Sequence, residues 1–293
     1  MTPVKIADLT VIIPAKNESA SIAGLVRQLV AMDPVAQVIV VDDGSDDGTG
    51  ALAQDAGARV VRHEKSRGNG AAIKSGARAA ETDWLVFMDA DGQHRPEDIP
   101  LLIGCAEQGR HDMVVGSRNR KGQASLARHA ANGFYNWFAS IVTGDDILDL
   151  TSGFRLVRRE CFLEFLHLLP NHFSYPTTIT MSLLRAGYSV AFEPVTVLQR
   201  DGKSHIKPIR DGLRFLIIIF KIATLYAPLK VFVPIAALHF ALGLARYAWT
   251  YATMGTFTNM SALLMVTGVQ IFLIGLVSEQ ISTLMYKDAG RQR

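Results

Sequence analysis

Short apolar blocks alternate along the first two thirds of the chain with polar loops, and most blocks end where acidic, Gly or Ser residues begin. Residues 9–13 are apolar apart from Thr10 and stop at Pro14; residues 38–41 stop at Asp42-Asp43-Gly44-Ser45-Asp46-Asp47-Gly48-Thr49. Such runs, bounded by turn residues, predict buried strands. Between them Ile22, Leu25, Val26, Leu29 and Val30 recur at helical spacing, which predicts an amphipathic helix to about Met32. The same reading predicts a short helix and then a strand over 59–62, a helix over 71–80 opened by Gly68-Asn69-Gly70, and a strand over 84–88. A helix from Pro96 and a strand over 113–115, ended by Gly116-Ser117-Arg118, come next. Helices follow over 134–142, 159–168 and from Tyr175-Pro176 to Gly187, and a strand over 189–195. Strands alternating with helices predict an α/β domain with a mostly parallel sheet covered on both faces. A dinucleotide-binding version needs G-x-G-x-x-G after the first strand, and that position reads PAKNES.

The pattern changes after residue 208. Residues 209–227 are apolar but carry Arg210, Arg214 and Lys221, which predicts an amphipathic helix at a membrane surface. Residues 231–251 and 260–284 then read as two membrane spans, the first weakened by His239 and Arg246. The alternative is a buried hairpin of a soluble domain. Lys221 and Lys230 precede the first span, Lys287, Arg291 and Arg293 follow the second, and the link has neither Lys nor Arg. Positive charge marks the cytoplasmic side, so both ends are expected there. His239 and Glu279 are expected to face a neighbouring helix or the interface. The organisation read this way is a cytoplasmic catalytic domain over 1–208, an interfacial helix over 209–227 and a transmembrane hairpin over 228–293, and self-association through the spans is a further expectation.

Composition sharpens this picture. A mean hydropathy of +0.19 is high for a soluble domain and supports the spans. A net charge of +3 is too small to suggest a nucleic-acid partner. The two cysteines, Cys105 and Cys161, have no metal-site spacing and read as small core residues of a reduced compartment. The N-terminus has no apolar signal core.

The candidate chemistry centres on Asp89-Ala90-Asp91-Gly92-Gln93-His94, at the C-terminal end of the strand over 84–88. Alternation along extended backbone puts both carboxylates on one side. Hard oxygen donors so placed suit Mg²⁺ or Mn²⁺, shared with a substrate's phosphates. A lone Asp-x-Asp would equally be an acidic surface turn; the strand leading in, and motifs on both sides, favour a metal–diphosphate site.

In this order, PAKNE, VVDDGSDDGT, DADGQH, GSR and DLTSGFRL resemble the inverting glycosyltransferases of family two, which have the GT-A fold. The resemblance is to the polyprenyl-phosphate sugar synthases, such as dolichol-phosphate mannose synthase and bacterial undecaprenyl-phosphate glycosyltransferases. It covers about residues 9–207, and the two spans resemble the bacterial members. It implies transfer of a sugar from a nucleotide-diphosphate sugar to a polyprenyl phosphate at the cytoplasmic membrane. It also implies roles. Pro14, Lys16, Glu18, Val41 and Asp43, with Asp42 beside them, match the holders of the base and ribose. Asp89, Ala90, Asp91 and Gln93 match the diphosphate–metal site, with Asp91 and Gln93 as ligands. Arg118, Arg200 and Lys207 match residues that close on phosphates, and Arg128, Ser152 and Arg155 match the acceptor side. Asp149 would position those arginines, serve as a base, or cap a turn. The family usually has Tyr where Lys16 stands and often Lys where Asn69 stands. Its closing loop ends Ser-Lys where this chain has Ser204-His205-Ile206-Lys207, so either His205 or Lys207 would reach the diphosphate. The rival readings are a membrane glycosyltransferase with a glycan hydroxyl acceptor and a non-catalytic scaffold of the same fold.

Overall fold

A computed structural model describes residues 5–118, 133, 137, 140, 144, 146–171, 174–196, 220 and 223–286. The chain divides into two compact units, the sheet with its helices and the pair of long C-terminal helices.

In the first unit the strands are β1 (Leu9–Ala15), β2 (Val35–Asp42), β3 (Arg59–Arg62), β4 (Trp84–Phe87), β5 (Met113–Arg118), β6 (Arg155–Arg158) and β7 (Val190–Val195). They form one sheet in the order β3-β2-β1-β4-β6-β5-β7. All pairings are parallel except those of β6, which runs antiparallel to both β4 and β5. The helices are α1 (Ile22–Val30), α2 (Thr49–Asp55), α3 (Asn69–Ala79), α4 (Ile99–Gly109), α5 (Arg159–Glu164) and α6 (Tyr175–Arg185). β1 and β4 read as continuous apolar runs because both their faces are covered; Val11, Ile12, Ile13, Leu85, Val86 and Phe87 have no exposed surface. α1 buries Ile22, Leu25, Val26 and Leu29, the expected stripe.

Two expectations change. β6 falls where no strand is apparent in the sequence, because its four residues, RLVR, are charged at both ends. The helix expected over 159–168 is the shorter α5. The helix expected over 134–142 and the interfacial helix over 209–227 lie largely outside the described residues. Cys161 is buried and Cys105 half-buried; both are free thiols.

The sheet order positions the site. β1, β2 and β3 progress in one direction from β1, and β4 lies on its other side, so the order reverses between β1 and β4. Open α/β sheets bind ligands at the C-terminal strand ends beside such a reversal. Because β6 is antiparallel, its N-terminal end reaches that same edge.

The second unit holds α7 (Pro228–Met254) and α8 (Asn259–Met285). Both are long and apolar enough to cross a membrane, with peak mean hydropathies of 1.7 and 2.2. Their contact follows a seven-residue spacing of mostly small residues: Ala236, Gly243 and Thr250 on α7, and Ser261, Gly268, Gly275 and Ser282 on α8, all buried. A Cβ at Gly268 would lie 2.9 Å from the Ala236 carbonyl oxygen and 3.0 Å from the Phe240 nitrogen, so the backbones touch. Glu279 faces the first turn of α7, where its Oε2 accepts a hydrogen bond from the Leu229 N–H at 3.4 Å. His239 Nδ1 bonds the Ile235 carbonyl of its own helix.

Candidate active site

β1 ends in Pro14-Ala15, and the loop after it is fastened to the loop after β2. The N–H groups of Asn17, Glu18 and Ser19 donate to Ser45 Oγ, Thr49 Oγ1 and Asp47 Oδ2 at 3.0, 2.9 and 3.0 Å. Asn17 Oδ1 accepts from the Asp46 N–H at 3.0 Å, and Asn17 itself is left-handed, with φ 56°. The polar cluster after β2 thus serves as an acceptor rack for a loop that carries Lys16 exposed and Glu18 half-buried. Val41 is fully buried in the sheet.

Asp42 and Asp43 are both buried. Asp42 Oδ1 accepts from the Ser45 N–H at 2.8 Å, and a Cβ at Gly50 would approach its Oδ2 to 2.7 Å. Asp43 is more heavily engaged. Its Oδ1 meets His63 Nδ1 at 2.6 Å and the Arg67 N–H at 2.8 Å; its Oδ2 meets Ser66 Oγ at 2.7 Å and the Gly68 N–H at 2.9 Å. Burial pushes this carboxyl up, but the hydrogen bonds from Arg67, His63, Ser66 and Gly68 outweigh it and bring the pKa down to about 2.

At the end of β4, the Met88 N–H still bonds the Ile12 carbonyl at 3.1 Å, and the chain then turns away at Asp89. The Ala90 carbonyl accepts from Ser21 Oγ at 2.9 Å, which ties this turn to the start of α1. The Gln93 N–H closes a small ring onto Asp91 Oδ1 at 3.2 Å. Asp89, Asp91 and Gln93 are half-buried, whereas Ala90 and His94 are buried. His94 stacks on Phe154 with ring centroids 5.2 Å apart, and its Nδ1 lies 4.0 Å from Asp89 Oδ2 without a hydrogen-bond partner among the described residues. Burial raises the Asp89 carboxyl, with Asp91 adding to the rise, and burial lowers His94.

The third part comes from β5 and β6. Phe87 pairs with Arg155 and Val115 with Arg155, so the residues before β6 arrive beside Asp89 and Arg118. A Cβ at Gly153 would sit 2.7 Å from Asp89 Oδ2, an approach that only glycine permits unshifted. Asp149 grips Arg118 with both oxygens: Oδ2 accepts from Nε at 2.8 Å and Oδ1 from Nη2 at 3.0 Å. Arg118 Nη2 also donates to Thr151 Oγ1. Burial pushes Asp149 up, but the Arg118 hydrogen bonds and charge outweigh it and hold the carboxyl below its usual range. This planar two-point pairing is the strong form of the interaction.

The structure therefore gathers Pro14, Lys16, Glu18, Asp42, Asp89, Asp91, Gln93, Arg118 and Asp149 along one sheet edge. Two of the residues expected on the acceptor side are enclosed. Arg155 is 0% exposed: its Nη1 donates to the Pro176 carbonyl at 3.0 Å and to Thr180 Oγ1 at 3.2 Å, and its Nη2 to the Ser152 carbonyl. A side chain so enclosed supports the 149–153 loop, and its Nε is buried without a hydrogen-bond partner among the described residues. Ser152 is also buried, with its Oγ donating to the Gly116 carbonyl at 2.6 Å. Arg128, Arg200, His205 and Lys207 lie outside the described residues. Sequence reasoning missed the contacts of His63 with Asp43 and Ser75 and the approach of Gly153 to Asp89; the glycine between a polar loop and an apolar run was the available signal for the last.

Residues 10–166, more than half of the chain, match the model of glycosyl transferase family 2, and residues 227–284 match the GtrB C-terminal hairpin. The chain is 29% identical over 305 residues to a glycosyltransferase, AglJ, of Haloferax volcanii, covering 99% of this chain and 98% of that protein. It is 30% identical over 211 residues to the polyprenol monophosphomannose synthase of Mycolicibacterium smegmatis, covering 65% and 77%. An undecaprenyl-phosphate 4-deoxy-4-formamido-L-arabinose transferase of Proteus mirabilis is 28% identical over 314 residues, covering 99% and 93%. Among solved structures, glucosyl-3-phosphoglycerate synthase of Mycobacterium tuberculosis in complex with Mn²⁺, uridine diphosphate and phosphoglyceric acid shares the fold, with a TM-score of 0.59 at 22% identity over 74% of this chain and 78% of that one. A carboxylate-bearing strand end at the sheet's reversal point, a second edge carrying a paired arginine, and these matches lead to one assignment: the chain belongs to glycosyl transferase family 2.

Proposed function

We propose that the protein transfers a sugar, with inversion at the anomeric carbon, from a nucleotide-diphosphate sugar to a polyprenyl phosphate at the cytoplasmic face of the membrane. The observation that carries this reading is Arg118, held by Asp149 at the same sheet edge as Asp89, Asp91 and Gln93. A preset cation there suits a reaction in which both donor and acceptor carry phosphate. The relatives named for lipid-phosphate acceptors and the hairpin match support the membrane side of the proposal.

Asp91 and Gln93 would hold Mg²⁺ or Mn²⁺, with Asp89 beside them. The donor set fits: these are hard oxygens, and among the described residues no group of three or more His, Cys, Asp or Glu forms an all-protein cage. Such ions keep positions for water and phosphate. When bound, the ion neutralises charge on the departing diphosphate. Pro14, Lys16 and Glu18 line the nucleotide side, with the buried Val41 and Asp42 at the strand end behind them. Arg118 orients phosphate, with Arg128, Arg200 and either His205 or Lys207 as further cations. Asp149 is committed to Arg118 and so positions it, which takes it out of the role of a base. None is needed, because a phosphate acceptor with a second pKa of about 6 is already nucleophilic near neutrality. Arg155 and Ser152 act on the acceptor side through the loop they brace.

The test uses the full chain with labelled sugar nucleotides, Mg²⁺ and undecaprenyl phosphate, followed by organic extraction. An acid-labile labelled lipid is expected, and Asp91→Ala should lower its formation by about 10²-fold or more, since a stabiliser of developing charge is lost. Label found only in a glycan or in free sugar, across a broad panel of sugar nucleotides, would overturn the proposal.

A further inference from the structure

His94 holds a polar atom in an unusual state. The residue is 8% exposed, and its Nδ1 is buried with no hydrogen-bond partner among the described residues. Buried polar atoms are nearly always paired, so an unpaired one beside a reaction site calls for a reason. What Nδ1 faces is a carboxylate. Asp89 Oδ2 lies 4.0 Å away, about 1 Å beyond a normal hydrogen bond.

The imidazole is held firmly. Its ring stacks on Phe154 with centroids 5.2 Å apart and planes 19° apart. Phe154 has no exposed surface, and its carbonyl accepts from the Gly116 N–H at 2.9 Å. A Cβ at Gly116 would come within 2.6 Å of the Phe154 ring, so His94 is braced through Phe154 against the backbone of β5. The chain between His94 and Asp89 is also pinned, by Ser21 on the Ala90 carbonyl and by the Gln93 N–H on Asp91. Asp89 is different. Its Oδ2 is crowded by Gly153 and faced by His94, yet the side chain keeps 35% of its surface exposed. The carboxyl therefore has one side against protein and one side open.

We propose that His94 is a positioning residue: in the loaded site its Nδ1–H donates to Asp89 Oδ2 and so sets which face of that carboxylate meets the metal and the donor diphosphate. The inference rests on the metal–diphosphate reading of Asp89, Asp91 and Gln93 given above, and not on the acceptor. Hydrogen bonds at reaction sites are often long beforehand and tighten when the substrate binds. Here the carboxylate makes the move, because it is the less buried partner and the imidazole is clamped. Carboxylates at metal sites are commonly oriented by such a bond from their protein side, and losing it typically costs about ten- to a hundredfold in metal affinity or activity.

The competing account is that His94 only fills the space over Phe154. The two accounts order three variants oppositely. His94→Phe keeps a ring for the stack but has no N–H. His94→Asn loses the ring but places an amide N–H near the Nδ1 position. His94→Gln places one near Nε2 instead. Calorimetry of the full chain with uridine and guanosine diphosphates, across a series of Mg²⁺ concentrations, reads binding without any acceptor. Expected is a nucleotide Kd at fixed Mg²⁺ raised about tenfold in His94→Phe and His94→Gln and within about threefold of wild type in His94→Asn. In an Asp89→Ala background His94→Phe should add less than about twofold, since the residue it acts through is gone. Wild-type affinity in His94→Phe would overturn the proposal. So would His94→Asn as the weakest of the three, or an undiminished effect of His94→Phe in the Asp89→Ala background. If His94→Phe fails to fold, the comparison of His94→Asn with His94→Gln decides. Wild-type nucleotide binding indifferent to Mg²⁺ would overturn the metal reading and this proposal with it. Mg²⁺-dependent wild-type binding with no difference among the variants would overturn this proposal alone.

Discussion

At the scale of single residues, the site is arranged by carboxylates that serve their own protein first. Asp149 is spent on Arg118, and the consequence is measurable. Asp149→Asn keeps one acceptor oxygen but loses the charge and the second hydrogen bond, so Arg118 should lose its fixed orientation. Transfer at saturating donor should fall by about ten- to a hundredfold while donor affinity changes by less than about twofold, a split that steady-state kinetics with direct donor binding would reveal. Asp43 makes a pH prediction. Its folded pKa is about 2 against an ordinary 3.8, so it is depressed. A depressed carboxyl contributes stability that is complete above its unfolded pKa and lost as pH falls through its folded one. The stability gap between the wild type and Asp43→Asn should stay constant from pH 7 to about 5 and shrink between about pH 4 and 2. Denaturant titrations across that range check it; a gap that grows on acidification would contradict the assignment.

At the scale of elements, β6 matters most for the site and α7–α8 for the second unit. β6 is the antiparallel strand that brings Gly153 against Asp89 and sets Arg155 between Phe87 and Val115. Nothing about RLVR announces a strand, because its first arginine is buried by partners outside the strand, the nearby Ser152 carbonyl and, from far along the chain, the Pro176 carbonyl and the Thr180 hydroxyl. The helical pair, by contrast, carries its packing in its spelling, as Ser261, Gly268, Gly275 and Ser282 recur every seven residues. The obstacle to a larger side chain at Gly268 is backbone, which cannot rotate away. Gly268→Leu should therefore destabilise the pair by about 1–3 kcal/mol, the usual range for overpacking. Val269→Leu, on the 48% exposed neighbour, should be close to neutral. Thermal unfolding in detergent compares the two, and equal transitions would show that the seam tolerates bulk.

At the scale of the whole molecule, the proposed arrangement puts both ends of the hairpin on the cytoplasmic side. The four residues between α7 and α8, Gly255 to Thr258, carry no charge, whereas Lys221 precedes α7 in the sequence, Lys230 is in its first turn, and Lys287, Arg291 and Arg293 follow α8. In a background lacking Cys105 and Cys161, Asn259→Cys should react with a membrane-impermeant thiol reagent added to intact cells. Reaction only after the cells are opened would reverse the topology.

Much of the fold could be read from spelling, because its signals are local. Apolar runs broken by Pro and acidic turns mark β1, β2 and β4, the stripe from Ile22 marks α1, and two long apolar runs mark α7 and α8. The residue types at the β4 end, Asp89, Asp91 and Gln93, were legible for the same reason: a strand end and its loop are contiguous. What required the tertiary structure was partnership across distance. Arg118 and Asp149 are separated by a long stretch of chain, as are Asp43 and Ser75, and pairing depends on which strands the sheet sets side by side. Burial decided the rest. Arg155 carries the chemistry of a phosphate ligand, but in the folded protein it is enclosed, with Nη1 and Nη2 given to two carbonyls and the Thr180 hydroxyl and Nε without a partner among the described residues. A side chain's chemistry is local, whereas its access to solvent is a property of everything packed around it.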